Sequence, residues 1–333
     1  MLIMTDLPAA PDADFRALSA RLGQDPLQVQ GPGGNTSIKE MSGKGSEVMW
    51  IKASGTELAN GEDPAIFVAV DRLEALAEAG GAGDGTCAAT VLDPANTLRP
   101  SIETTFHALL DWKVVAHTHS VATLSHAVAH QGRAVAKAKL AGLPIAFVPY
   151  RKPGLPLTKA IAAAISAETQ VVVLENHGLI CAANSVADCD ALIREVEARL
   201  AMPALAVSDS PPPKTPAPDG YNWAQEASAL ADHPRLQELA LAGSYWPDHV
   251  VFLGPALPKE PDEGAPVVLV PNVGVALKAD ATAAQKAMLL CLRDVLIRLP
   301  EDWVPEAIGA DAEAELLNWD AEKYRQALAA RQS

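Results

Sequence analysis

Aromatic side chains are scarce. Phe, Trp and Tyr make up 5% of the chain, while hydrophobic residues as a whole reach 49%. A core of that size must be built mostly from Ala, Val, Leu and Ile. Cysteine is scarce as well: Cys87, Cys181, Cys189 and Cys291 are scattered, with no C-x-x-C pair. This excludes a disulfide framework and makes a reduced, cytoplasmic protein the expectation. Positive charge is in deficit, with 26 Lys and Arg against 41 Asp and Glu, a net charge of −15. Nucleic-acid binding rests on clustered cations, so no nucleic-acid partner is expected. An anionic ligand must be captured by a local site, because the global field repels it. No apolar run is long enough for a membrane span. The first ten residues lack the basic region and apolar run of a signal peptide. The motifs G-x-G-x-x-G, the P-loop, H-E-x-x-H and G-x-S-x-G are all missing. Their absence argues against a dinucleotide site, a zincin protease and a serine hydrolase.

What is present is concentrated between Arg99 and Ser120, RPSIETTFHALLDWKVVAHTHS. Residues 112–116 read as a short buried strand that delivers His117 and His119. Side chains two apart on a strand share a face, so both imidazoles reach one point, as metal binding requires. Residues 101–111 read as a helix with Ile102, Phe106, Leu109 and Leu110 on its buried stripe. Glu103 falls in its first turn, where the helix dipole favours a carboxylate.

Elsewhere the pattern alternates strands and helices, which points to an α/β fold. Residues 12–22 read as a helix ended by Gly23. Gln30 to Ser37 holds Gly31, Gly33 and Gly34 and reads as a tight loop with exposed amides. It suits an anion, though a plain hairpin loop has the same composition. Strands are expected at 48–52 and 67–70, with a small-residue turn at 53–56 and a helix at 72–79 capped by Asp71. Residues 80–85 are glycine-rich and read as a flexible connection. Val121, Leu124 and Val128 mark one face of a helix, and His126 and His130 share another. A strand at 145–148 leads into a turn with Tyr150, followed by a helix at 157–167. The apolar run 171–174 reads as a buried strand that delivers Glu175-Asn176-His177-Gly178. A helix follows at 187–200.

Residues 208–220, SDSPPPKTPAPDG, break all periodicity. They read as a Pro-rich linker between a catalytic domain at 1–207 and a smaller α/β domain at 221–333. In the latter, strands are expected at 250–253, 267–270 and 273–277, and helices at 281–299 and 312–330. No motif there attaches to a reaction.

Five pieces occur in order: Gly34-Asn35-Thr36-Ser37, Ala53-Ser54-Gly55, Pro100-Ser101-Ile102-Glu103 with His107, His117-Thr118-His119, and Asn176-His177-Gly178. Together they resemble the class II aldolase/adducin family over residues 12–200. The resemblance implies a central mixed sheet flanked by helices and a cyclic homotetramer with sites between subunits. It implies a zinc ion on His117, His119 and His177, with Glu103 as the acid/base. Manganese and cobalt also suit imidazole ligands. Asn35, Ser54, Gly55 and Ser101 would hold a substrate phosphate, with Lys39 or Lys52 nearby. The implied reaction is carbon–carbon bond cleavage or formation on a ketose phosphate or related sugar through a metal-stabilised enediolate. Two departures stand out. Ile102 replaces a second serine of the fuculose-phosphate aldolases. The segment carrying their tyrosine proton donor is shortened, which leaves Tyr150 as a weak candidate. The long aldolase domain found fused to a short-chain dehydrogenase is the closer resemblance. Epimerases and decarboxylases share the metal site, and an adducin-like assembly module is the non-catalytic alternative.

Overall fold

The computed structural model describes residues 10–43, 45–81, 85–207, 211–262 and 264–332. The N-terminal stretch read against a signal peptide, the middle of the glycine-rich connection and the start of the Pro-rich segment lie outside them.

Seven strands form one sheet: β1 (Asn35–Met41), β2 (Glu47–Lys52), β3 (Phe67–Asp71), β4 (Val114–Thr118), β5 (Ile145–Val148), β6 (Val171–Leu174) and β7 (Gly178–Ala183). Their order is β3-β2-β1-β4-β7-β6-β5. Only β5 and β6 run parallel, so the sheet is mixed. Both faces are covered. Phe15, Leu18 and Leu22 of helix Ala13–Gln24 join Ile193, Val196 and Leu200 of helix Val186–Leu200 on one side. On the other side, Phe106 of helix Thr104–Leu109 and Leu157 and Ile161 of helix Leu155–Ala164 meet Val115, Ile180 and Val172. Coverage on both faces explains why β6 and β7 are apolar at nearly every position.

A second, three-stranded antiparallel sheet comprises β8 (Tyr221–Trp223), β9 (Val267–Val270) and β10 (Gly274–Lys278), in the order β8-β10-β9. With helices Pro247–Leu253, Ala283–Leu296, Ala310–Leu317 and Asp320–Gln332 it makes the smaller C-terminal α/β part. The two parts share a core. Val121, Leu124 and Val128 cluster with Trp246, Met288, Leu292 and Val295.

Several expectations need correction. The helix expected at 101–111 starts only at Thr104, and Glu103 is its N-cap residue in a turn. His117 lies within β4 and His119 just beyond it. Gly23 does not end the first helix, which runs on to Gln24. A Cβ at Gly23 would collide with the backbone of Leu58 and Ala59, so that glycine serves close packing. His126 and His130 do not share a helix face: helix Val121–Ala127 stops, and His130 opens the next, His130–Lys139. The strand expected at 250–253 is helical, inside Pro247–Leu253. Four apolar residues do not distinguish a strand from a buried helix turn. Pro247 at the first helical position and Gly254 at φ +91° just past the end decide it. The helix expected at 312–330 is interrupted at Asn318 and Trp319.

Candidate metal centre

Register places the first residues. Asn35 on β1 pairs with His117 on β4, and His117 pairs with Ile180 on β7. All three therefore project to the same face of the sheet. Two residues on, His119 projects to that face as well. His177 arrives from the other direction, in the tight turn Glu175-Asn176-His177 between β6 and β7, where Leu174 pairs with Gly178. Asn176 takes the left-handed conformation this turn needs, φ +53°. Its amide donates to Tyr245 O at 3.0 Å and Glu306 O at 2.8 Å, fastening the turn to the C-terminal part. Gly178 is required sterically. A Cβ there would overlap Thr118 O and crowd the rings of His117 and His119 at 3.2 and 3.3 Å.

The three imidazoles are buried, and their ligand atoms lie within 4.8 Å of one another. His117 Nε2 and His119 Nε2 are 3.2 Å apart. Glu103 Oε2 is 3.4 Å from His117 Nε2, and Oε1 is 3.4 Å from His177 Nε2. The other ring nitrogen of His117 donates to Leu179 O at 3.0 Å. That of His119 lies 3.1 Å from Asp248 Oδ2. Burial pushes the His117 pKa down and that of His177 down to about 3, so both rings are neutral at pH 7. The Leu179 carbonyl assigns the proton of His117 to Nδ1, and the Asp248 carboxylate beside His119 Nδ1 favours the same tautomer there. Their Nε2 lone pairs therefore face each other and a carboxylate across a few ångströms. Such a cluster of unshared pairs is repulsive unless a cation sits among them. The donor set thus fits a divalent metal ion: three imidazole nitrogens, with a carboxylate beside them.

Glu103 is held from behind. Asn35 Nδ2 donates to its Oε2 at 2.8 Å and to Ser101 Oγ at 3.1 Å, and Ser101 Oγ accepts from Glu103 N at 3.2 Å. Burial opposes ionisation of Glu103, but His117, His177 and the Asn35 amide outweigh it and lower its pKa. The orientation of Asn35 is set in turn by His107, whose Nε2–H donates to Asn35 Oδ1 while Ser37 Oγ donates to its Nδ1 at 2.8 Å. Glu103 Oε1 has no hydrogen-bond partner among the described residues, which leaves it available to a ligand.

One cavity opens onto this centre. Asn35, Ser54, Gly55, Ser101, Glu103, His119 and His177 all line it, as do Gly34, Lys52 and Ile102. Lys52 donates its ammonium to Pro32 O at 2.9 Å and Thr56 O at 2.6 Å, and burial, then Arg325, lowers its pKa to about 7. Lys39 is elsewhere, donating to Trp112 O at 2.7 Å. Tyr150 does not line the cavity. Its hydroxyl has no hydrogen-bond partner among the described residues, and burial, then Glu315 and Glu313, raises its pKa.

Asp248, Glu322 and Arg325 line it too, and sequence reasoning missed all three. They come from the part of the chain in which no motif was found. Arg325 grips Asp248 with both nitrogens, Nη1–Oδ1 at 2.6 Å and Nη2–Oδ2 at 2.7 Å, and lies 3.2 Å from Glu322. Burial opposes ionisation of Asp248, yet Arg325 above all, and then His119, hold its carboxyl well below the usual range. The last helix covers the cavity directly: a Cβ at Gly55 would sit 2.9 Å from that of Leu328. The room left inside is about 20 Å³, enough for about one water.

Fold and centre together define a protein with a buried three-histidine cluster that could hold a metal ion, built on a mixed α/β sheet. The chain belongs to the Class II Aldolase and Adducin N-terminal domain family, whose profile matches residues 15–202. It is 33% identical over 170 residues to the "Uncharacterized oxidoreductase YuxG" of Bacillus subtilis (strain 168). That match covers 48% of this chain and 24% of the relative, so the chain spans about a quarter of that protein's length. Among solved structures, the N-terminal class II aldolase domain of a conserved protein from Thermoplasma acidophilum superposes with a TM-score of 0.51 at 26% identity. It covers 58% of this chain and 93% of that one. An aldolase II superfamily protein from Pseudomonas syringae gives 0.44 at 18% identity, covering 58% and 74%.

Proposed function

We propose that the chain is a zinc-dependent aldehyde-lyase that makes or breaks the carbon–carbon bond beside the ketone of a ketose phosphate or related sugar. The observation that carries this reading is the convergence of three buried imidazoles, two of them with Nε2 3.4 Å from the carboxylate of Glu103, whose Oε1 accepts no hydrogen bond among the described residues. His117, His119 and His177 would hold the ion. When bound, a divalent ion supplies Lewis acidity toward a ketone oxygen and its neighbouring hydroxyl. Glu103 moves the proton on the adjacent carbon, a contribution typically worth about 10²- to 10⁴-fold. Asn35 keeps that carboxylate aimed at the centre, and Ser101 holds Asn35. Ser54, whose buried hydroxyl has no partner among the described residues, binds the substrate's anionic end with Gly55, Ser101 and Asn35. Substrate entry requires the last helix to shift, since the present cavity has room for about one water. The protein works in the cytoplasm, with no nucleic-acid or membrane partner, as a homo-oligomer, tetrameric by family resemblance.

A second reading keeps the metal and changes the reaction to epimerisation or decarboxylation. Tyr150 lies outside the cavity lining, which favours it, because cleavage needs a group that takes the proton from the hydroxyl that becomes the aldehyde oxygen. An adducin-like assembly role is disfavoured by a complete set of three histidines and a glutamate. The deciding experiment follows aldehyde release from a panel of ketose 1-phosphates, with and without chelator. Release that stops with chelator and returns with zinc is expected. A changed stereocentre or carbon dioxide as the product would establish the second reading instead.

A further inference from the structure

We propose that Asp248 is a positioning residue of the metal centre: the C-terminal part supplies it to fix the ring of His119, and Arg325 fixes it in turn. This rests on the metal reading above. Asp248 is 2% exposed, and its Oδ2 lies 3.1 Å from His119 Nδ1. A neutral imidazole has one lone pair and can flip about its ring axis. A carboxylate accepting from Nδ1–H removes that freedom, commits Nε2 to the ion and makes it more basic. Glu103 lies beside the Nε2 of His117 and of His177, and His119 is alone among the three in having a carboxylate beside its Nδ1. His117 Nδ1 uses the carbonyl of Leu179, and among the described residues the carboxylate contact of His177 is made through Nε2.

The approach is built into the chain at Gly33. A Cβ there would stand 2.8 Å from Asp248 Oδ2 and 2.9 Å from His119 Nδ1, so any side chain would wedge the pair apart. On the far side, the guanidinium of Arg325 meets both oxygens of Asp248 in a two-pronged pair. A buried carboxylate needs such a countercharge to be tolerated. The same guanidinium reaches Glu322 on its own helix at 3.2 Å. The line Arg325–Asp248–His119 thus ties the last helix to the ion, which gives the C-terminal part a chemical role.

The test uses the full chain, stripped of metal and titrated with cobalt(II) against a competing chelator. Visible absorption of the bound cobalt reports its ligand geometry. Asp248→Asn is nearly isosteric, but one oxygen cannot serve both His119 and Arg325. Asp248→Asn and Asp248→Ala should each bind cobalt about 10- to 100-fold more weakly, with an altered spectrum. Gln326→Ala removes the bond from the same helix to Val251 O without touching Asp248. It should leave affinity and spectrum unchanged. Should Asp248→Ala not fold, Asp248→Asn decides. Wild-type affinity in Asp248→Asn, or an equal loss in Gln326→Ala, would overturn the positioning role while leaving the metal centre standing. No cobalt binding by the wild type would overturn the metal reading itself, and this inference with it.

Discussion

At the scale of single residues, the proposed function separates holding a metal from moving a proton. Three imidazoles form the candidate ligand set, and Glu103 stands beside it on a support of Asn35, Ser101 and His107. Glu103→Gln keeps shape and hydrogen bonding but cannot accept a proton. It should retain most of its metal and lose at least about 100-fold in turnover. Metal content measured beside substrate-dependent hydrogen–deuterium exchange at the ketose carbon checks this. Exchange at the wild-type rate would remove Glu103 as the base. His119→Ala should lose both metal and activity, and full occupancy in that variant would take His119 out of the site. The pieces of this constellation were legible because strand periodicity alone puts His117 and His119 on one face. The dependence of Asn35 on His107 was not legible, since it rests on a register between β1 and β4 and on the seat of a helix above them.

At the scale of elements, the turn between β6 and β7 and the last helix carry the most consequence. Gly178 lets Thr118 O pass beneath the turn. Gly178→Ala should therefore destabilise the protein by about 1–3 kcal/mol, the usual cost of overpacking, and weaken metal binding through displaced rings. Denaturant melts and metal titration read the two effects; unchanged values for both would show that the turn yields freely. On the last helix, Arg325→Met leaves Asp248 and Glu322 buried without their cation. Breaking such a pair costs on the order of 3–5 kcal/mol. A denaturation midpoint equal to that of the wild type would mean solvent reaches these carboxylates. The helix at 247–253 shows where periodicity fails. Four apolar residues in a row are silent about period, and burial on all sides hides the helical face.

At the scale of the whole molecule, buried neutral histidines outside the centre tie stability to pH. His126 and His249 are fully buried, and burial lowers their pKa values to about 4 and about 3. In the unfolded chain they take up protons near pH 6.5, and in the folded chain only far lower. Their contribution is complete above about pH 6.5 and is lost as pH falls toward 4 and 3, at up to about 1.4 kcal/mol per unit per group. Burial raises the pKa of Glu197 and Glu322, which act in the opposite sense at lower pH. A variant isolates the histidine term. His249→Asn should flatten the slope of unfolding free energy between pH 6.5 and 5 by nearly one proton. An unchanged slope would show that His249 is protonated in the folded state.

The order of motifs along the chain, the alternation of strands and helices and the two neighbouring histidines are local properties. Periodicity and composition therefore determined the α/β class and the candidate ligands, and the order of the motifs carried the family resemblance that implied Glu103 as the base. Tertiary structure decided the rest. Residues 248 and 325 are far from residue 119 in sequence and carry no spacing that marks them. They meet it because Val121, Leu124 and Val128 bury a shared core with the C-terminal helices. Gly33 leaves a gap one carboxylate wide, and a guanidinium offsets the charge placed there. Contacts of that kind depend on how two surfaces pack, and packing is a property of the assembled elements that no local pattern encodes.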